Sequence, residues 1–262
     1  MRVCDRPVML ELGRFNRWQA SASHLALSVI IGLAVVGAMI FVWYPPPYFA
    51  AAGGNDLVLL MLGVDVALGP LLTLAVFDPG KGSRKLRFDL AVIAFLQIAA
   101  LAYGVHVMFV ARPAYLVFAV DRFDLVMANT LPDNELAKAS PPYDRRPVGK
   151  PPTVGARVPD DPKLKEESLF IALGGVDLTQ QPRFFVRYDD IAKDAATRAQ
   201  SIKVLRDLNR DRADRIDAAV RGSGRAESEL AFVAAKAPNL DFAVIVDKST
   251  GAIVAQLLAK PW

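Results

Sequence analysis

The chemistry this sequence most needs to explain is a carboxylate inside an apolar run. Asp65 lies within Leu57 to Phe77, and the next apolar run, Leu90 to Val110, carries Gln97, Tyr103 and His106. An ionised carboxylate in hydrocarbon costs several kcal/mol and persists only with a partner or after protonation. Counting about 1.5 Å of rise per residue from the ends of both runs puts Tyr103 level with Asp65, His106 within a turn, and Gln97 nearer the opposite end. Two readings follow. Asp65 is satisfied internally by Tyr103 or His106, or it faces a gap that another transmembrane helix fills. Pro70 removes the bond to the Val66 carbonyl and kinks the helix, and Gly63, Ala67 and Gly69 let a second backbone approach closely. A tight bend alone also explains Gly69-Pro70, and a proton or ion path is a further use of such a carboxylate.

Other chemistry is scarce. Cys4 is the single cysteine, so no intramolecular disulfide forms and no multi-cysteine metal site exists. His24 and His106 both lie in or beside apolar stretches, and residues 112–262 contain neither His nor Cys. That excludes a Ser-His-Asp triad, a Cys-His pair and the common zinc sites from this half. Asp189-Asp190 is an adjacent carboxylate pair, read here as opening a helix near its positive dipole end. The expectation is a protein that is not an enzyme and holds no cofactor or metal.

The elements that must position Asp65 follow from the composition. Of 262 residues 53% are hydrophobic and 22% charged, with a mean hydropathy of +0.28, above what an ordinary soluble domain carries. Leu25 to Tyr44, Leu57 to Phe77 and Leu90 to Val110 each reach the roughly 20 residues that cross a bilayer. Arg2, Arg6, Arg14 and Arg17 precede the first span, Pro45 to Asp56 has no Lys or Arg, and Lys81, Arg84, Lys85 and Arg87 lie between the second and third. Basic residues near span ends stay cytoplasmic, which predicts the N-terminus inside and everything after Arg112 outside. Trp43, Tyr44 and Tyr48 would then sit at the outer interface. Ala50-Ala51-Ala52 reads alternatively as a signal-peptide cleavage site, but the preceding run exceeds the usual 7 to 15 residues and another span begins at once. The predicted domains are a cytoplasmic tail (1–20), a three-helix transmembrane region (21–111) and a periplasmic α+β domain (112–262). The net charge of +4 divides evenly between the two halves, with no basic excess pointing to nucleic acid.

In the exported half, Tyr115 to Val120 and Asp124 to Ala128 read as strands about Asp121-Arg122-Phe123. Seven prolines among the 23 residues from Ser140 to Pro162 predict a strap, too proline-rich for a helix or a central strand, with Tyr143, Val148 and Val158 as anchors. Asp161-Pro162 predicts a helix start and Gly174-Gly175 its stop. Arg183 to Arg187 reads as a strand, Asp189 to Val220 as helix broken near Asn209, and Phe242 to Val246 with Ala252 to Leu258 as a hairpin.

Several motifs together carry a resemblance. Phe41-Val42-Trp43-Tyr44-Pro45, Gly63 through Thr73, Phe88 through Ile93 with Gln97 and Tyr103-Gly104, Arg112-Pro113 through Phe123, and the closing Asp247 to Gly251 turn are similar to the type IV pilin accessory proteins of the TfpX/TfpZ family. The resemblance covers nearly the whole chain from about residue 18, and the first 17 residues make Met9 an alternative start. It implies a bacterial inner-membrane accessory factor without catalytic activity that modulates pilus assembly or retraction. The partners expected are a type IV pilin subunit and the lipid bilayer. Asp65, Gly69, Pro70, Gln97, Tyr103 and His106 are the expected partner-binding or bundle-polar residues. A membrane-anchored envelope sensor unrelated to pili is the alternative.

Overall fold

The computed structural model describes residues 16–262. Cys4, Met9 and the basic residues Arg2, Arg6 and Arg14 lie outside the described residues. Contacts divide the chain into two compact units. One joins the first helix up to Ala38 with Asp56–Val107, and the other joins Met39–Asn55 with Met108–Trp262.

The first unit consists of three apolar helices, each long enough to cross a membrane. They are α1 (Arg17–Val42), α2 (Gly54–Val76) and α3 (Ser83–Val110). Each begins before its apolar stretch, since a helix end placed in lipid would leave backbone groups unsatisfied. The kink expected at Pro70 takes a specific form: the chain widens into a π-helix over Gly63–Leu68 immediately before Gly69-Pro70. Pro70 has no N–H to give the Val66 carbonyl, so the ladder is broken there, and a π-turn redistributes the remaining bonds.

The second unit is built on one mixed sheet. Its elements run β1 (Pro113–Ala119), β2 (Arg122–Met127), α4 (Asp133–Leu136), β3 (Thr153–Ala156), α5 (Pro162–Leu173), β4 (Phe185–Arg187), α6 (Ala192–Arg198), β5 (Gln200–Ser201), α7 (Ile202–Leu208), α8 (Ala213–Gly222), β6 (Leu230–Lys236), β7 (Phe242–Asp247) and β8 (Ile253–Leu257). Strand order is β4-β3-β1-β2-β6-β7-β8, with β5 beside β6. The β1–β3 and β2–β6 pairs are parallel, and the β1–β2, β3–β4, β6–β7 and β7–β8 pairs antiparallel. Every residue of β1 is buried, because packed layers cover both its faces. One core gathers Tyr115, Val117, Leu136, Val154 and Phe185, and another gathers Ile202, Leu205, Ile216, Phe232 and Ile245.

Several expectations are corrected here. The proline-rich segment contributes a central strand, β3, because no proline falls between Pro152 and Pro159, which leaves Thr153–Ala156 free to pair on both sides. Val148 and Val158 are exposed and anchor nothing, whereas Tyr143 packs edge-on to Phe185 at 5.9 Å. The segment is held mainly by its carbonyls. Arg112 donates to the Pro147 and Arg146 oxygens at 2.9 and 3.3 Å, and the Tyr115 hydroxyl to the Arg145 oxygen at 2.8 Å. Tyr44 and Tyr48 do not face lipid. Both are buried in the second unit, Tyr44 donating to the Met108 oxygen at 2.8 Å and Tyr48 packing edge-on to Phe242 at 5.9 Å. The region from Asp189 to Val220 breaks near Asn209 as expected and again at β5, while β6 was not foreseen as a strand.

The β7–β8 turn is closed by Asp247. Its Oδ1 accepts the Ser249 hydroxyl at 2.6 Å, and the Thr250 amide and hydroxyl at 2.8 and 2.9 Å, while Arg225 pairs with Oδ2. These donors, led by the Ser249 hydroxyl, hold the Asp247 carboxyl well below the usual carboxylate range. A carboxyl whose folded pKa is depressed contributes stability that is complete above its unfolded value of about 4 and is lost as pH falls through the folded value. Asp247→Asn is therefore expected to lower Tm at neutral pH and to flatten its decline on acidification below about pH 4, read from melting curves across pH.

Candidate functional site

The polar groups of the three-helix unit gather about the π-turn of α2. Asp65 lies inside that turn and is 7% exposed, and its Oδ1 accepts no hydrogen bond. It is therefore not open at the bundle surface. Gln97 approaches from α3, but its Nε2 donates to the backbone oxygen of Asp65 at 3.1 Å and leaves the carboxylate alone. Widening of the helix frees that carbonyl from a regular partner, and a long amide is the side chain that can reach it. Gly69 makes the approach possible, since a Cβ there would run into the Gln97 amide. Pro70 offers its carbonyl to the Ser21 hydroxyl of α1 at 2.9 Å. One turn further, His24 Nδ1 meets Thr73 Oγ1 at 2.5 Å.

Tyr103 and His106 are not brought to Asp65. Tyr103 is 70% exposed and His106 is also exposed. The reason is azimuth. At about 100° per residue, Tyr103 lies roughly 240° and His106 roughly 180° around α3 from Gln97, whereas Gly104 returns to within about 20° of it. Gly104 accordingly faces α2, where a Cβ would stand 2.8 Å from Met61 Cγ. Depth was also misjudged. Counting from the run ends set Tyr103 opposite Asp65, and the true neighbour lies six residues earlier, roughly 9 Å of rise. The helices do not start level, as α3 begins at Ser83, before the apolar run.

The small residues of α2 serve two purposes. Gly69 is filled by Gln97 within the bundle, but Gly63 has nothing near its missing Cβ and Ala67 is exposed. These two residues, four apart, leave a shallow notch on the face of α2 roughly 160–200° around from Asp65, with Val64 and Leu68 exposed next to it. Ser21, His24 and Thr73 were missed as members of the site. The signal that would have found them is the one that found Asp65, a polar side chain within a membrane-length helix.

Three apolar helices bearing a polar cluster, followed by a mixed α+β domain, define a membrane-anchored protein whose first interhelical segment is built into the domain that follows the third helix. Comparison with known proteins narrows that class. The family described as "Fimbrial assembly protein FimB" matches residues 14–53. The chain is 32% identical over 189 residues to the fimbrial assembly protein of serogroup E1 from Dichelobacter nodosus, covering 71% of this chain and 74% of that protein. The serogroup I protein of the same organism matches to the same extent, and the protein of serogroups C1 and C2 is 34% identical over 119 residues, 45% of this chain and 91% of its own length. The chain belongs to this fimbrial assembly protein family. No solved structure matches it.

Proposed function

We propose that this chain is a non-enzymatic inner-membrane accessory factor of type IV fimbrial biogenesis, of the TfpX/TfpZ kind, which binds a pilin subunit through its transmembrane unit. The carrying observation is the buried Asp65 carboxylate with an unpartnered oxygen, in a π-turn whose opposite face carries the open Gly63–Ala67 notch. An unmet carboxylate in hydrocarbon is held at a cost of several kcal/mol, and a visiting helix that presents a donor relieves it. Small residues four apart on the opposite face of α2 also admit the close approach of a second backbone. The basic residues before α1 and between α2 and α3 favour the cytoplasm for both segments, and with it the periplasm, beside the pilin's globular head, for the α+β domain. The absence of His and Cys from residues 112–262 favours binding over catalysis. Kinship with fimbrial assembly proteins supports the choice of partner.

A photoreactive residue tests this when placed at Leu68, which is 52% exposed beside the notch. In membranes containing the cognate pilin, illumination should give an adduct with the pilin's apolar stem. Adducts with lipid or unrelated proteins alone would overturn the reading.

A further inference from the structure

Helix α5 is the least covered α-helix of the second unit. Of its twelve residues only Ser168 is buried, and Leu169, Phe170 and Leu173 are 58%, 65% and 84% exposed. Polarity is segregated along its axis and not across it. The first half, Pro162 to Glu167, holds Lys163, Lys165, Glu166 and Glu167, and the second reads Ser-Leu-Phe-Ile-Ala-Leu before Gly174-Gly175 ends the helix. A helix seated in a protein groove repeats its apolar residues at i, i+3, i+4 and i+7 on one face. Leu169, Phe170 and Leu173 lie within about 100° of one another on the last turn, and the positions three and four before Leu169 and Phe170 are Lys165, Glu166 and Glu167, so the patch is a single turn long and not a stripe along the helix.

The topology fixes where that turn lies. β1 begins three residues after α3 ends, and Pro113 pairs with Met127, while the Ala128 amide donates to the Arg112 oxygen at 2.8 Å. This edge of the sheet is thus the one nearest the exit of α3. β3 runs parallel to β1, away from that edge, and α5 returns over twelve residues, about 18 Å of helix. Gly175, just past its end, shares a cavity with Met127 and Thr130, and Gln180 donates to the Thr130 oxygen at 3.2 Å. The apolar end of α5 therefore lies toward the edge where the chain leaves the membrane, and its charged end lies away from it.

We propose that the last turn of α5, carrying Leu169, Phe170 and Leu173, is a bilayer-contact anchor that dips end-on into the lipid interface beside the exit of α3. Contact there fixes the tilt of the α+β domain over the membrane, whether or not a pilin is bound. An aqueous alternative leaves three large apolar side chains in water.

The test uses the full chain carrying Cys4→Ser, with an environment-sensitive dye on Leu173→Cys or, separately, on Lys163→Cys. Both sites are exposed, so neither substitution disturbs packing. The proteins are reconstituted into phosphatidylethanolamine and phosphatidylglycerol vesicles that carry nitroxides near the headgroup or near the chain end. At position 173 a blue-shifted emission is expected, quenched about twofold or more better by the shallow nitroxide, as a depth of about 5–10 Å requires. At 163 no quenching is expected. Absence of quenching at 173 would overturn the anchor, including the case where its dye is shielded only on adding pilin or raising the protein density. Equal quenching at both positions would overturn the end-on geometry by showing that α5 lies flat.

Discussion

Replacing Glu135 by alanine is expected to lower the unfolding free energy of the α+β domain by about 3–5 kcal/mol, the usual cost of stripping one partner from a buried ion pair. Glu135 sits on α4 and is 1% exposed. Its Oε1 accepts from Lys138 Nζ at 2.9 Å, and its Oε2 stands 3.2 Å from Nε of Arg183, whose side chain is 10% exposed. Arg183 Nη1 also reaches Glu167 of α5 at 2.9 Å, and its guanidinium lies 4.6 Å from the Phe184 ring centre. These charges join α4, α5 and the turn before β4 where they pack together. Without Glu135 the guanidinium keeps only Glu167, whose side chain is 44% exposed and whose pull is weakened by water. The sign of the effect depends on which charges are removed. Glu167→Ala should cost far less, as for exposed pairs. The double change Glu135→Leu with Arg183→Met, which leaves no charge buried, should recover most of the single-mutant loss. Urea titration of the full chain in detergent, followed by the fluorescence of Trp262, whose indole donates to Asp241 at 3.1 Å, measures all three. Equal losses for Glu135→Ala and the double change would show that packing at α4, and not the charge, carries the stability.

The same distinction between what a residue is and what surrounds it explains which parts of the fold could be read from the sequence. Three spans were legible because length and hydropathy alone decide them. Asp161-Pro162 and Gly174-Gly175 were legible because caps are local chemistry: Asp161 accepts the Lys163 and Leu164 amides at 2.8 and 3.0 Å, and Gly175 takes a φ of +95°. β6 was not, because Leu-Ala-Phe-Val-Ala-Ala-Lys is buried nearly throughout and shows none of the alternation that marks a half-exposed strand. Tyr44 and Tyr48 illustrate a different limit. Their position next to a span predicts an interfacial belt, and only the arrival of Met108 and Phe242, far along the chain, makes them core. At the candidate site, residue type was informative and geometry was not. Asp65 and Gln97 stand out as polar residues in apolar runs, but rise along a helix gives depth alone. Which side of α3 meets α2 is set by Gly69 and Gly104, where a side chain would obstruct the contact.

Asp65 offers the sharpest separation of stability from function, because the two should move in opposite directions. In Asp65→Leu the transmembrane unit loses a carboxylate whose Oδ1 has no partner, at a place 7% exposed, and gains an apolar side chain of similar reach. Removing such a group relieves its desolvation penalty, so resistance of the helices to thermal unfolding in detergent should rise. If the same oxygen receives a donor from the pilin stem, the substitution also deletes a charge-assisted contact worth about 1.5–3 kcal/mol, and pilin capture by the Leu68 photoprobe should fall about ten- to a hundredfold. Asp65→Asn keeps an acceptor oxygen without the charge and should lie between the two. A residue needed only for the fold cannot produce this pattern, since weakening the helices lowers stability and capture together. Surface fibres follow the same logic. Counted with retraction operating and with it disabled, they should be depleted by Asp65→Leu in both conditions if the contact delivers or protects subunits, and only in the first if it biases fibre dynamics. A variant that is more stable yet captures pilin and builds fibres as well as the parent would leave the unpartnered oxygen as a feature of the bundle alone and remove the basis for docking at α2.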